Sequence, residues 1–161
     1  MTEVTLRRAS DADEGLLRAI YASTRAEELA MTPWTDEQKD AFCSMQFEAQ
    51  RAHYAEAYPT LEQDVVVVDG QDAGRLLVAR LPGDIRVVDI AILPPFRGLG
   101  VGGKLLSDVL AEAAESRSKV TIHVEHQNRA RNLYDRLGFE VVEDLGIYLR
   151  MEWTPPAAST S

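Results

Sequence analysis

With 161 residues, 45% of them apolar and 27% charged, the chain has the make-up of an ordinary soluble globular protein with one full-sized core. Its net charge of −9 argues against a nucleic-acid footprint. Its single cysteine, Cys43, excludes an intramolecular disulfide and any cysteine-cluster metal site. The start, MTEVTLRRAS, has no apolar signal core and no run approaches membrane-spanning length, so a cytoplasmic location without a membrane partner is the default expectation.

In chain order, Val4 to Arg8 alternates as a short strand. Ser10 and Asp11, followed by Asp13 and Glu14, mark a helix start, and Leu16, Leu17, Ile20, Tyr21 and Thr24 carry its stripe to about Ala30. Thr32-Pro33-Trp34 interrupts it. Thr35-Asp36-Glu37-Gln38 is a capping-box pattern that opens a second helix ending near Tyr58-Pro59. That helix shows two apolar stripes, Phe42, Met45, Ala49 and Ala52, and Phe47, Tyr54 and Tyr58. One should face the core. The other needs a second partner, either more core, a subunit or a substrate cavity.

Val65 to Val68 reads as a strand, and Asp69-Gly70-Gln71-Asp72 turns into another from Ala73 to Arg80. Pro82-Gly83-Asp84 turns again into the central strand, Ile85 to Leu93, so this half of the sheet should be antiparallel. A helix to about Ser116 and a strand from Val120 to Glu125 complete a crossover, which makes the central strand and this one parallel. Asn128 to Leu137 reads as a short helix capped by Gly138. Phe139 to Glu143 and Tyr148 to Trp153 form a closing hairpin. The expected organisation is one domain over residues 1–153, with a disordered polar tail at 154–161.

Between the central strand and the helix after it stands Pro94-Pro95-Phe96-Arg97-Gly98-Leu99-Gly100-Val101-Gly102-Gly103-Lys104. Four glycines in six positions each cost a helix about 1 kcal/mol relative to alanine, and a plain turn needs only one. A helix N-terminus stripped of side chains offers free N–H groups and a positive dipole end to a phosphate. Charge distribution agrees. Residues 1–89 hold 9 Lys/Arg against 17 Asp/Glu, whereas residues 97–136 hold 7 against 5.

Gly98-x-Gly100-x-x-Gly103 also matches the dinucleotide fingerprint, with Glu125 where an acidic ribose ligand would stand. But Pro94 to Arg97 separate the strand from the first glycine, and hairpins replace the further parallel units such a domain needs. A P-loop fails sooner, because Leu105 follows Lys104.

A third reading takes in Arg97-Gly98-Leu99-Gly100-Val101-Gly102, of the form Arg/Gln-x-x-Gly-x-Gly/Ala, together with Asn128-Arg129-Ala130-Arg131-Asn132-Leu133-Tyr134-Asp135-Arg136-Leu137-Gly138-Phe139. In these two segments the chain resembles the GNAT superfamily of acyl-CoA-dependent N-acyltransferases. The resemblance covers roughly Val65 to Trp153. It implies an α/β (α+β) single-domain GNAT-like fold, a mixed, mostly antiparallel twisted sheet of about seven strands flanked by about four helices, with the central parallel pair splayed. It also implies acetyl-CoA as co-substrate and an amine acceptor, small or peptide, attacked directly in a ternary complex. A non-catalytic acyl-CoA-binding module on the same fold and a nicotinamide-dependent oxidoreductase are the rival readings. The protein is expected to act as a monomer or homodimer, and no metal is implied.

What the resemblance implies residue by residue is as follows. The pyrophosphate lies on the backbone of Arg97, Gly98, Leu99, Gly100, Val101, Gly102, Gly103 and Lys104. The pantetheine arm pairs with Ile92 and Leu93 and enters the splay. Asn128, or by another spacing Gln127, bonds the pantetheine or orders its loop. Tyr134 stands near the thioester sulfur as the acid that protonates the leaving thiolate, or is simply a core aromatic. A backbone N–H near Ile92 or Leu93 holds the oxyanion. The base is less defined. Asp89 interrupts the apolar central strand and is either that base or a buried hydrogen-bonding group, with His123 and Glu125 in reserve. Trp34, Phe47, Tyr54 and Tyr58 are expected to shape the acceptor side, with Glu48, Glu56 and Asp89 supplying negative charge for a cationic amine.

Overall fold

The structure is a computed structural model and describes residues 2–126, 128 and 130–156. Gln127 and the tail positions 157–161 therefore lie outside the described residues. Among the described residues thirteen elements follow one another, seven of them strands and four α-helices. The strands are β1 (Val4–Arg8), β2 (Glu62–Val68), β3 (Gln71–Leu81), β4 (Asp84–Ile92), β5 (Lys119–Glu125), β6 (Glu140–Asp144) and β7 (Tyr148–Trp153). The helices are α1 (Glu14–Ala30), α2 (Asp36–Ala57), α3 (Val101–Ser116) and α4 (Arg131–Leu137). The sheet order is β1-β2-β3-β4-β5-β7-β6, with β4 and β5 parallel and β7 placed antiparallel between β5 and β6. None of the described helices is long and apolar enough to cross a membrane.

The chain forms two compact units, Met1–Leu77 with Ile90–Val101, and Val78–Asp89 with Gly102–Ser161. In the first, β1 pairs β2 from Val4↔Val68 to Arg8↔Asp64. Leu17, Ile20 and Tyr21 of α1, Phe47 of α2 and Ala91 of β4 form its buried cluster, with Leu16 and Leu93 packed against it. In the second, Leu105, Leu106, Val109 and Ala113 of α3 are buried, as are Val120, Ile122 and Val124 of β5, Leu149 and Met151 of β7, and Tyr134 of α4.

The capping box of α2 forms as its sequence predicts. Thr35 Oγ1 accepts from the Gln38 N–H at 3.2 Å, and Gln38 Oε1 accepts from the Thr35 N–H at 2.9 Å. The face of α2 differs from the first of the two predicted stripes. Cys43 and Phe47 are its buried residues, while Met45 is 60% exposed and Phe42 pairs with Trp34. The α4 boundary also differs. Asn128 Oδ1 accepts from the Ala130 N–H at 2.8 Å, a local turn that takes the backbone out of the helix, which begins only at Arg131.

Before α1, the guanidinium of Arg7 grips Asp13 in a two-point pair, with both N–H···O distances 2.9 Å, and also reaches Asp72 at 3.2 Å. Arg7, then the Ser10 N–H, hold the Asp13 carboxyl down at about 2. A carboxyl depressed in the folded state stabilises it above the unfolded value near 3.8, and that stabilisation is lost as pH falls toward 2. Urea midpoints measured from pH 5 to pH 2 should therefore fall in the parent and flatten in Asp13→Asn. Parallel curves for the two proteins would show that the pair contributes nothing.

Candidate active site

The β4–β5 ladder runs from Asp84↔Lys119 to Val87↔Ile122 and stops there, although β5 continues to Glu125 paired with Tyr148 of β7. Beyond Val87 and Ile122, β4 and β5 continue without a shared ladder. Before the gap, Arg86 Nε donates to Thr121 Oγ1, whose hydroxyl donates to Asp84 Oδ1 at 2.9 Å. Thr121 is fully buried, so this chain of bonds fixes Arg86 as a structural cation.

Asp89 follows Val87 by two positions and is half-buried. Tyr134, only 3% exposed, packs edge-on against Phe139 with ring centroids 5.9 Å apart. Burial first, and then the negative charge of Asp89, push the Tyr134 hydroxyl up to about 12. Asp89 and Tyr134 are thus within electrostatic reach of one another. His123 is placed differently. It stands opposite Arg150 in the β5–β7 ladder, one position out of phase with buried Ile122 and Val124. Desolvation, then the charges of Arg86 and Arg150, lower its pKa against the pull of Glu143. Glu125 shares that phase, opposite Tyr148.

At the end of β4 the Leu93 N–H donates to Ala73 O at 2.7 Å, and Arg97 Nε donates to Ile92 O at 2.9 Å. A 3-10 turn, Pro94–Phe96, follows, closed by the Phe96 N–H on Leu93 O. Gly98 and Gly100 then adopt φ of +79° and +78°, a region that disfavours every side chain. Val101 opens α3, so the N–H groups of Val101, Gly102, Gly103 and Lys104 have no partner within the helix. Gly102 and Gly103 meet only the Leu133 side chain, at 3.7 and 3.6 Å from where a Cβ would stand. Lys104 is turned back on Asp108 at 2.8 Å. The Arg97 N–H is taken by Pro94 O at 3.2 Å, so the row of backbone donors is that of Val101 to Lys104, entered through the two left-handed glycines. Asn128 is exposed and spends its side chain on the Ala130 N–H.

On α2, Phe47 is 4% exposed and lies 6.2 Å from the Tyr21 ring. Phe47, Tyr54 and Tyr58 line a cavity of about 260 Å³. Trp34 is not among its walls but stacks on Phe42, 5.3 Å away. Neither Glu48 nor Glu56 lines it, nor does Asp89; Arg51 and Arg75 do. Sequence reasoning passed over Arg75, although a charged residue beside Leu76-Leu77-Val78 in a strand is a signal of the same kind as Asp89. It also passed over Gly74, whose place inside β3 marks close backbone approach. A Cβ there would collide with the Ala91 carbonyl oxygen.

The sequence matches the family model of the acetyltransferase (GNAT) domain over residues 61–141. No curated protein matches the chain. Among solved structures, the PaiA N-acetyltransferase of Thermoplasma acidophilum in complex with coenzyme A is similar at a TM-score of 0.72 and 14% identity, covering 94% of this chain and 99% of that one. An acetyltransferase of Thermus thermophilus is similar at 0.66 and 19%, covering 94% and 96%. A GNAT-family acetyltransferase of Staphylococcus aureus is similar at 0.66 and 13%, covering 96% and 100%. With the glycine-rich entry to α3 already in place, the match over half of the chain shows the family: the chain belongs to the GNAT acetyltransferase family.

Proposed function

We propose that this protein transfers an acetyl group from acetyl-CoA to an amine by direct attack. The observation that carries the reading is the row of backbone N–H groups from Val101 to Lys104 at the start of α3, entered through the two left-handed glycines Gly98 and Gly100. The pyrophosphate lies on that row and the pantetheine amides run along Ile92 and Leu93. Asn128 orders its own loop through the bond that its Oδ1 accepts from the Ala130 N–H.

The reaction has a fixed balance. An ammonium acceptor first loses a proton, and its nitrogen then attacks the thioester carbon. The N–C bond forms, the C–S bond breaks, and the thiolate takes one proton, so one proton is released overall. Asp89 receives the acceptor's proton and Tyr134 donates to the sulfur. The enzyme works in the cytoplasm, since its lone Cys43 is buried and has no partner for a disulfide.

A panel of amines supplied with acetyl-CoA, read by free-thiol release, tests the reading. Thiol release with no amine dependence would overturn it. Gly102 gives a sharper probe of the cofactor. Gly100 is strained by any side chain at φ +78°, whereas Gly102 meets only Leu133. Gly102→Val should weaken acetyl-CoA binding at least about tenfold by calorimetry while changing stability by about 1 kcal/mol or less. Unchanged affinity, or tight NAD binding by the parent, would remove the assignment of the loop.

A further inference from the structure

At the end of β4, where the pantetheine amides are proposed to run, both backbone groups of Leu93 are engaged. Its N–H donates to Ala73 O at 2.7 Å, and its carbonyl accepts from the Phe96 N–H at 2.9 Å. The Ile92 carbonyl shares a peptide unit with the Leu93 N–H. That unit is trans, so the carbonyl points the opposite way, away from β3. It is the acceptor that an extended arm laid along β4 would use. The Arg97 Nε–H covers it, at 2.9 Å. We propose that the Arg97 side chain selects the acyl donor by its phosphates. It holds the Ile92 carbonyl until a phosphate draws the guanidinium away, so that a CoA thioester reaches that carbonyl and a phosphate-free pantetheine thioester is resisted. The inference rests on the acetyl-transfer reading above.

Only a side chain has to move. The Arg97 N–H donates to Pro94 O at 3.2 Å, which closes the turn Pro94–Phe96, and its φ of −75° and ψ of 152° are ordinary extended values. Pro94 and Pro95 stiffen that turn. The residue itself is exposed. Among the described residues no carboxylate pairs with the guanidinium, whose hydrogen bond goes to a neutral carbonyl. Lys104 differs, since both oxygens of Asp108 hold its ammonium at 2.8 Å. Arg97 therefore keeps a positive charge that a phosphate can claim.

The two positions of the guanidinium differ in strength. On Ile92 O it makes a single-point bond to a neutral acceptor, enough to bias populations about fivefold. On a phosphate it makes two parallel bonds to a charged acceptor, each about twice as strong. Arg97 also stands directly before Gly98 and Gly100, the left-handed residues that lead to the donors beginning at Val101. A donor with phosphate at that helix start offers Arg97 a better partner while its amide takes the Ile92 carbonyl. A donor without phosphate must displace Arg97 for nothing in return. Its apparent affinity is then reduced by the fraction of protein in which the carbonyl is uncovered.

Arg97→Met removes the fork and keeps the stem, and it tests the proposal without any acceptor. CoA affinity is read by calorimetry, and pantetheine affinity from the Ile92 and Leu93 amide signals in an NMR titration. The two ligands should respond in opposite directions. The variant should gain about threefold or more in affinity for pantetheine and lose about fivefold or more for CoA. An arginine that merely braced the loop would weaken both. A parallel loss, or an unchanged pantetheine affinity, therefore overturns the proposal. If the variant does not fold, the parent decides: its Arg97 Nε–H signal should shift on saturation with CoA, and a signal that stays in place overturns the proposal. A parent that binds neither ligand removes the acetyl-CoA reading and this one with it. CoA binding by the parent, with parallel losses in the variant, removes this one alone.

Discussion

Gly74→Ala should destabilise the protein by about 3 kcal/mol or more, far beyond the usual cost of one added methyl group. The reason lies in what the methyl would meet. The Ala91 carbonyl oxygen stands inside its contact distance, with the Ile92 Cα at 3.1 Å and the Ala91 carbonyl carbon at 3.2 Å. All three are backbone atoms, so no flexible side chain can swing away. In a regular antiparallel pair a carbonyl lies in the plane of the sheet and never crosses a neighbour's Cβ. A side chain at position 74 would therefore have to displace backbone. The same short stretch holds the Leu93 N–H on Ala73 O. At 2–4 °C per kcal/mol for a chain of this size, the melting temperature should fall by roughly 6–12 °C. A denaturant midpoint within about 0.5 kcal/mol of the parent, at an unchanged m-value, would mean that the strands part easily and the glycine is incidental.

Gly74 also shows where sequence reading stops. The elements that rest on local chemistry are legible: the alternation of Val4–Arg8, the Thr35–Gln38 capping box, the glycine run before α3, and the crossover that makes β4 and β5 parallel. Each is decided by residues within a few positions of one another. The insertion of β7 between β5 and β6 depends on pairs such as Ile122↔Met151, far apart in the chain, and leaves no local mark. The start of α4 was misplaced for a different reason. Asn128 prefers a bond from its own side chain to the backbone, and that competes with helix one residue at a time.

The site divides along the same line. The glycine run is legible as a turn into a helix start, and Gly98 and Gly100 do adopt left-handed backbone just before α3. The acceptor side was read from aromatic residues, and Phe47, Tyr54 and Tyr58 do line one cavity. Glu48, Glu56 and Asp89, expected to lend the acceptor side negative charge, are not among the walls of that cavity. Net charge over ninety residues says little about the few that face inward. Glu48 pairs with Arg18 and Arg51 and does not line the cavity, whereas Arg51 and the buried Arg75 do. A cavity's sign depends on which side chains the fold turns in, a property of tertiary packing.

Tyr134→Phe should keep acetyl-CoA affinity and lower kcat by about 10²-fold or more, the usual value of a positioned acid. The environment of the hydroxyl sets limits on how it acts. With its pKa near 12, Tyr134 is fully protonated at neutral pH and always ready to donate. A thiolate resembling that of cysteine, near 8.5, is a weaker base than the tyrosinate by about 3.5 units, so complete transfer to a free thiolate is uphill by about 5 kcal/mol. In the reaction proposed above, Tyr134 therefore hydrogen-bonds to sulfur as the C–S bond lengthens and does not hand over its proton completely. With Asp89 as the proposed base, its uptake of the acceptor's proton would remove the charge that raises the Tyr134 pKa and make the tyrosine a better donor. A second readout separates this role from packing. A tyrosine whose pKa is raised on folding stabilises the protein fully below its unfolded value of 10 and loses that contribution as pH climbs toward 12. Two units correspond to about 3 kcal/mol. Denaturation midpoints should drop between pH 10 and 12 in the parent and drop less in Tyr134→Phe, whatever its activity. Wild-type turnover in a variant that shows this flattened alkaline profile would leave Tyr134 as a buried core ring and return the search for the acid to the acceptor's own nitrogen.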